Sequence, residues 1–215
     1  MFRSASLIIG ARLALLLLTA QTIGGQSPVG TPDLTPHMSL MGFTLERSTL
    51  ADVQGKLGAT TSGRCSSEEE ASKMICYVSS ASDKTRVVFE SGFSGGWSVL
   101  DGFRVVSGSL TPDCRLQCLR TSAFGNNIKT SGGLRLGLTR QQLIALLGAP
   151  TKENRNRLTF ERQWKRPMTK AEIDKETQTF KTPVTEPYFD VLDSIEVTFT
   201  GARVGEFEVR RTTTY

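Results

Sequence analysis

Two stretches of the chain repeat one another, and this self-similarity constrains the fold more than any other feature. Residues 42–61 read Gly-Phe-Thr-Leu-Glu-Arg-Ser-Thr-Leu-Ala-Asp-Val-Gln-Gly-Lys-Leu-Gly-Ala-Thr-Thr. Residues 133–151 read Gly-Leu-Arg-Leu-Gly-Leu-Thr-Arg-Gln-Gln-Leu-Ile-Ala-Leu-Leu-Gly-Ala-Pro-Thr. Gly42 aligns with Gly133, Leu45 with Leu136, Thr49 with Thr139, Val53 with Leu143 and Leu57 with Leu147, with one residue dropped in the loop. Thr49 and Thr139 are placed as helix N-caps, whose hydroxyl accepts from an orphan backbone N–H. Asp52 and Gln142 stand three residues on, and Thr139 with Gln142 makes a capping box. Leu50, Val53 and Leu57 have helical spacing, as do Leu143, Leu146 and Leu147. Gly58 and Gly148 are expected at the left-handed stop, and Pro150 forbids continuation. Helices this short hold only when packed on something else.

Strand patterns follow each helix: 74–79, 85–90 and 100–107 after the first, 157–163, 191–200 and 203–211 after the second. Phe89, Phe103, Phe199 and Phe207 recur between the copies and read as core. The expected fold is therefore α+β, with two tandem repeats, each a short helical segment packed on an antiparallel β-meander. Residues 40–112 form repeat 1 and residues 132–215 repeat 2. Repeat 2 carries an insertion over 165–187, in which Thr169 and Glu172 form another capping box. Residues 26–39 read as a linker rich in Pro, Gly and Thr, and 113–131 as a connector holding Cys114 and Cys118.

The N-terminal 25 residues read as a cleaved signal peptide: Arg3 and Arg12 are the only charges, 13–20 is apolar, and 21–26 is small and polar. The apolar run is far short of the ~20 residues a membrane span needs. No Cys follows it closely, so no lipid anchor is expected. The predicted location is the periplasm or the medium. In an exported chain, four Cys read as two disulfides. Of three possible pairings, Cys65–Cys76 and Cys114–Cys118 are chosen because each closes a local loop. The 26 Lys+Arg against 21 Asp+Glu give a net charge of +5, which falls by two without Arg3 and Arg12. That surplus is too mild to imply nucleic acid.

No catalytic or metal signature emerges. Gly92-Phe93-Ser94-Gly95-Gly96 matches G-x-S-x-G, but a strand rather than a helix follows it, and the single His, His37, lies upstream in the linker. It reads as a Gly-rich hairpin loop, and His37 as a solvated side chain. Glu68, Glu69 and Glu70 read as a solvated loop. Arg155, Arg157, Arg162, Lys165 and Arg166 interleave with Phe160 and Trp164, but strand parity puts Leu158, Phe160, Arg162 and Trp164 on one face and Arg157, Thr159, Glu161, Gln163 and Lys165 on the other. No spacing singles out a carboxylate pair for hydrolysis. No metal or cofactor is assigned. Phe93 and Trp97 in the Gly-rich loop, with Trp164 and Tyr188 bracketing the insertion, are the candidate partner-binding residues, since Trp, Tyr and Arg are common interface anchors.

Residues 133–151 resemble the signature of the SmpA/OmlA-type domain, the fold of the small outer-membrane assembly lipoprotein and of beta-lactamase inhibitor protein. There a G-x-x-x-G-x-T entry leads to a short helix ending in L-G-x-P, then a β-meander. The resemblance implies a compact helix-plus-sheet unit. Two such units, each with a local disulfide, are more similar to the inhibitor arrangement, in which two sheets line a concave face that grips a protein. The expected function is that of an exported, non-enzymatic protein-binding module of the bacterial cell envelope, inhibitor-like, with a protein of the envelope or extracellular surroundings as partner. An envelope-assembly or structural accessory role and a carboxylate-dependent hydrolase are the alternatives.

Overall fold

The computed structural model describes residues 32–63, 72–92, 98–108 and 116–214. After a 3-10 turn at Thr35–His37 come β1 (Ser39–Leu40), β2 (Phe43–Thr44), α1 (Leu50–Leu57), β3 (Lys73–Ser79), β4 (Arg86–Ser91), β5 (Gly102–Val106) and β6 (Cys118–Thr121). Then follow α2 (Arg140–Leu147), β7 (Lys152–Asn154), β8 (Arg157–Pro167), α3 (Lys170–Phe180), β9 (Tyr188–Thr200) and β10 (Arg203–Thr214).

The helices start where the caps place them. Thr49, Thr139 and Thr169 each accept from the backbone N–H three residues on, and Asp52, Gln142 and Glu172 return the bond. Gly58 and Gly148 stop α1 and α2 at φ 103° and 85°, but with ψ 148° and −162° the backbone is extended there rather than left-handed helical. Glycine alone adopts that region readily. The Tyr77 hydroxyl donates to the Gly58 carbonyl at 2.7 Å, tying the end of α1 to β3.

The two expected meander repeats do not form. Among the described residues strand far exceeds helix, and eight strands make one mixed sheet in the order β6-β3-β4-β5-β10-β9-β8-β7. β5 and β10 pair antiparallel, from Gly102↔Arg210 to Val106↔Glu206. The physical reason is edge closure: a three-stranded sheet leaves a row of unmet backbone groups, and pairing β5 with β10 satisfies both rows at once. One face of this sheet is covered by α1, α2 and the segments around β1–β2 and Leu134–Leu138. Phe89, Phe103, Phe207 and Ile195 from neighbouring strands meet Leu34, Phe43, Val53, Leu143 and Leu147 in one continuous core.

Three further expectations change. Residues 32–39 are not a linker: Leu34, His37 and Met38 are buried. His37 is 3% exposed, its Nδ1 lies 2.9 Å from Thr130 Oγ1, and a β-carbon at Gly132 would overlap its ring. Residues 116–131 are not a mere connector, because β6 joins the sheet parallel to β3. That register sets Cys76 beside Cys118, with Cα atoms 4.4 Å apart, and they form the disulfide. The expected Cys65–Cys76 and Cys114–Cys118 pairs are thereby replaced: Cys76 and Cys118 occupy directly opposed strand positions, which sequence proximity could not reveal. Cys65 and Cys114 lie outside the described residues. In the second half, β8 and β9 extend until Pro167 pairs with Tyr188, so the excursion between them carries α3 and is slightly shorter than the expected 165–187 insertion. Among the described residues no helix is long and apolar enough to cross a membrane.

Two predictions follow from these contacts. Non-reducing peptide mapping should recover Cys76 linked to Cys118. Because this bond spans 42 residues, Cys76→Ser with Cys118→Ser should lower stability by about 4 kcal/mol in the chain-entropy picture. Burial holds the His37 pKa below its usual value, with Asp33 opposing weakly. The unfolded chain therefore takes up the proton first, and stability is full above the unfolded value near 6.5 and falls as pH drops toward the folded value. Between those values the slope should approach about 1.4 kcal/mol per pH unit. Denaturation of wild type and His37→Gln at pH 7.5 and 5.5 checks this, the variant lacking that part of the pH dependence.

Candidate functional site

Among the described residues, no helix lies over the second face of the sheet. Along β8, β9 and β10 alternation puts most apolar side chains into the core and leaves polar ones on this second face, whereas β3 and β4 are buried on both faces. β10 shows it plainly: Phe207 and Val209 are buried, while Glu206, Glu208 and Arg210 face the other way. A small apolar cluster of Met74, Cys76 and Val88 lies at the β3 end of the open face, against Leu116 and Cys118.

The register lines these polar residues into rows across the sheet. One row runs Arg104, Glu208, Glu196, Thr159, and the next runs Glu90, Gly102, Arg210, Ser194, Glu161. Within and between rows the charges are paired. Arg104 Nε donates to Glu208 at 2.8 Å, Arg210 Nη2 to Glu90 at 2.6 Å, and Arg210 Nε also to Glu208. Arg157 meets Glu196 at 3.2 Å and Lys152 meets Glu161 at 3.0 Å.

The reach from Arg210 to Glu90 crosses β5, and Gly102 makes it possible. A β-carbon there would stand 3.3 Å from Arg210 Cγ and 3.4 Å from the Val209 carbonyl. Glycine leaves a trough along which the arginine stem lies. The Glu90 side chain is otherwise buried, so the guanidinium supplies the partner a buried carboxylate requires.

A groove of about 280 Å³ opens between these rows, lined by Thr159, Glu161, Ser194, Glu196, Glu208 and Arg210. Burial pushes the Glu208 carboxyl up, but Arg210 and Arg104 outweigh it and hold the pKa below the usual carboxylate range. Burial likewise lowers Arg210, and Glu90 with Glu208 more than reverse the effect. Glu206, beside this pair, is raised by its burial. The groove is thus a polar depression with an acidic bias, its arginine fixed by two glutamates. Among the described residues no group of three or more His, Cys, Asp or Glu is placed to hold a metal ion.

The residues expected to bind a partner do not gather here. Phe93 and Trp97 lie outside the described residues. Tyr188 opens β9 at 48% exposure, opposite Pro167. Trp164 is half-buried on β8, on the other face from Tyr188 by strand parity. Its Nε1 donates to Asp193 at 3.1 Å, and the guanidinium of Arg211 sits 5.4 Å from its ring. Asp193 is fully buried and is held by Arg211 through two bonds, 2.6 and 2.9 Å. Trp164 therefore belongs to a packed structural cluster, not to the open face. Sequence reasoning missed Glu90, Gly102, Arg104, Glu208 and Arg210. The alternation Glu206-Phe207-Glu208-Val209-Arg210 was a usable signal for a charged sheet face, but its partners sit on β4 and β5.

No known protein family, curated protein or solved structure matches this chain.

Removing one member of a buried ion pair strands the other charge, at a cost of about 3–5 kcal/mol. Asp193→Ala should lose stability in that range by chemical denaturation, and Trp164→Ala should add little more on top of it because the two share one network.

Proposed function

We propose that the chain is an exported protein-binding module that grips its partner with the open face of the sheet. The observation that carries this reading is the pairing pattern of that face. Among the described residues the helices lie on one side of the eight-stranded sheet only, and on the other the charged side chains are already locked to one another across the strands. Ordering long side chains at an interface costs about 0.5–1.5 kcal/mol each. Here much of that ordering precedes binding, so the face is a preorganised polar platform. The groove between Glu161, Glu196 and Glu208 suits a basic side chain of the partner, with Thr159 and Ser194 hydroxyls to fix it.

Export is supported by the Arg-flanked apolar leader and by the Cys76–Cys118 disulfide, a bond suited to an oxidising compartment.

Crosslinked capture from envelope extract and culture medium tests the proposal. Ser194→Trp fills the groove without touching the core, and should weaken capture of the dominant partner about tenfold or more, ~1.4 kcal/mol. Thr159→Trp should do the same, while Phe180→Ala on α3 should not. Capture that ignores both groove substitutions would show that the open face is not the contact surface. A partner found in the outer-membrane fraction would turn the reading toward envelope assembly.

A further inference from the structure

Among the described residues, the outer edge of β8 carries a row of backbone groups with no backbone partner. β7 pairs only with Arg157, Leu158 and Thr159 of its 11 residues, whereas β9 runs along the inner side for the whole length. In an antiparallel strand, successive residues send their N–H and C=O to alternate sides. The Asn156 carbonyl accepts from Phe199 on the inner side, and the Thr159 carbonyl accepts from Thr151 on the outer side. The backbone groups of Glu161, Gln163 and Lys165 therefore point outward, and among the described residues none of them meets a backbone partner. Gln163 and Lys165 are exposed and Glu161 is half-buried.

We infer that this edge binds a second copy of the chain, β8 against β8, antiparallel about a two-fold axis through Gln163. The charge order carries the assignment. In that register Glu161 faces Lys165 of the second copy, and the contact occurs twice. On the opposite face Arg162 lies across from Trp164 of the second copy; within each chain Arg162 already binds Asp33 at 2.6 Å and stands 5.9 Å from the Trp164 ring, so the assignment rests on Glu161 and Lys165. Gln163 meets itself, and two primary amides can bond mutually. A strand whose sequence is complementary to its own reversal is suited to an isologous contact.

Neighbouring registers are worse. Sliding one copy by two residues in one direction sets Glu161 opposite Pro167, whose nitrogen has no hydrogen to donate. Sliding the other way sets Lys165 opposite Thr159, whose carbonyl already binds Thr151. A lysine on an exposed edge normally discourages pairing. Here its distance from Glu161 turns it into an attractive contact. Glu161 currently faces Lys152 at 3.0 Å and Lys165 faces Glu186 at 3.6 Å, both surface pairs that are easily shared or exchanged. The free stretch is short, bounded by β7 and Pro167, so the dimer is a concentration-dependent one. It does not rest on the binding-module reading.

Sedimentation equilibrium of the full chain, with its disulfides formed, tests the inference. The mass of wild type should rise toward twice the monomer as concentration increases. Lys165→Glu alone, or Glu161→Lys alone, sets like charges together at both contacts and should weaken association about tenfold or more. The double variant Glu161→Lys/Lys165→Glu restores both contacts and should associate as wild type does. Thermal melts show whether each variant is folded. Should a reversal fail to fold, Gln163→Cys decides, since a residue on the axis should crosslink to itself on oxidation, whereas Gln178→Cys on α3 should not. A wild type that stays monomeric at every concentration overturns the inference. So does association indifferent to the charge reversals, or a Gln163→Cys variant that associates without crosslinking.

Discussion

The pairing of β5 with β10 is the contact on which the rest of the molecule depends. It joins strands about a hundred residues apart in sequence, Gly102–Val106 with Glu206–Arg210. On one side of that seam Phe103, Val105, Phe207 and Val209 enter the core. On the other, Arg104 meets Glu208 and Arg210 crosses Gly102 to Glu90. Without it, each half of the sheet has a bare edge and too little apolar surface to bury. With it, one core serves both halves and the charged rows come into line.

The open face is consistent with its energetics. Isolated surface ion pairs contribute about 0–1 kcal/mol, and those of Lys152 or Arg157 belong to that class. The set around Arg210 differs, because Glu90 and Glu208 are largely shielded from water and share one guanidinium. Such a network fixes geometry more than it adds stability. Fixed geometry is what a recognition surface needs, and it relates the folding of this face to its proposed use.

The sequence told the local story well. The Thr49, Thr139 and Thr169 caps, the six main strands and the parity of β8 were all visible, because each depends on neighbours a few residues away. The stop at Gly58 was visible as a stop, though not its extended backbone. Strand order was hidden, because nothing local says that β5 lies beside β10 instead of ending a sheet. The parallel β6 was hidden for the same reason, and with it the true partner of Cys76. His37 looked solvated because Thr130 and Gly132, which enclose it, come from the other side of the chain. Trp164 looked like an interface anchor because its partners Asp193 and Arg211 arrive on two other strands. The candidate groove was the least legible, since β8, β9 and β10 each supply two of its six lining residues.

The place of β10 has a consequence for how the molecule is made. The strand that comes last in the fold's chain order lies in the middle of its sheet, flanked by β5 and β9. A chain made from its N-terminus releases β3, β4 and β5 long before β10. The early half must then wait with an open flank until residues 203–214 emerge. Such an order rewards a holding chaperone, and makes the loss of residues 203–214 a loss of the whole architecture instead of a trimmed edge.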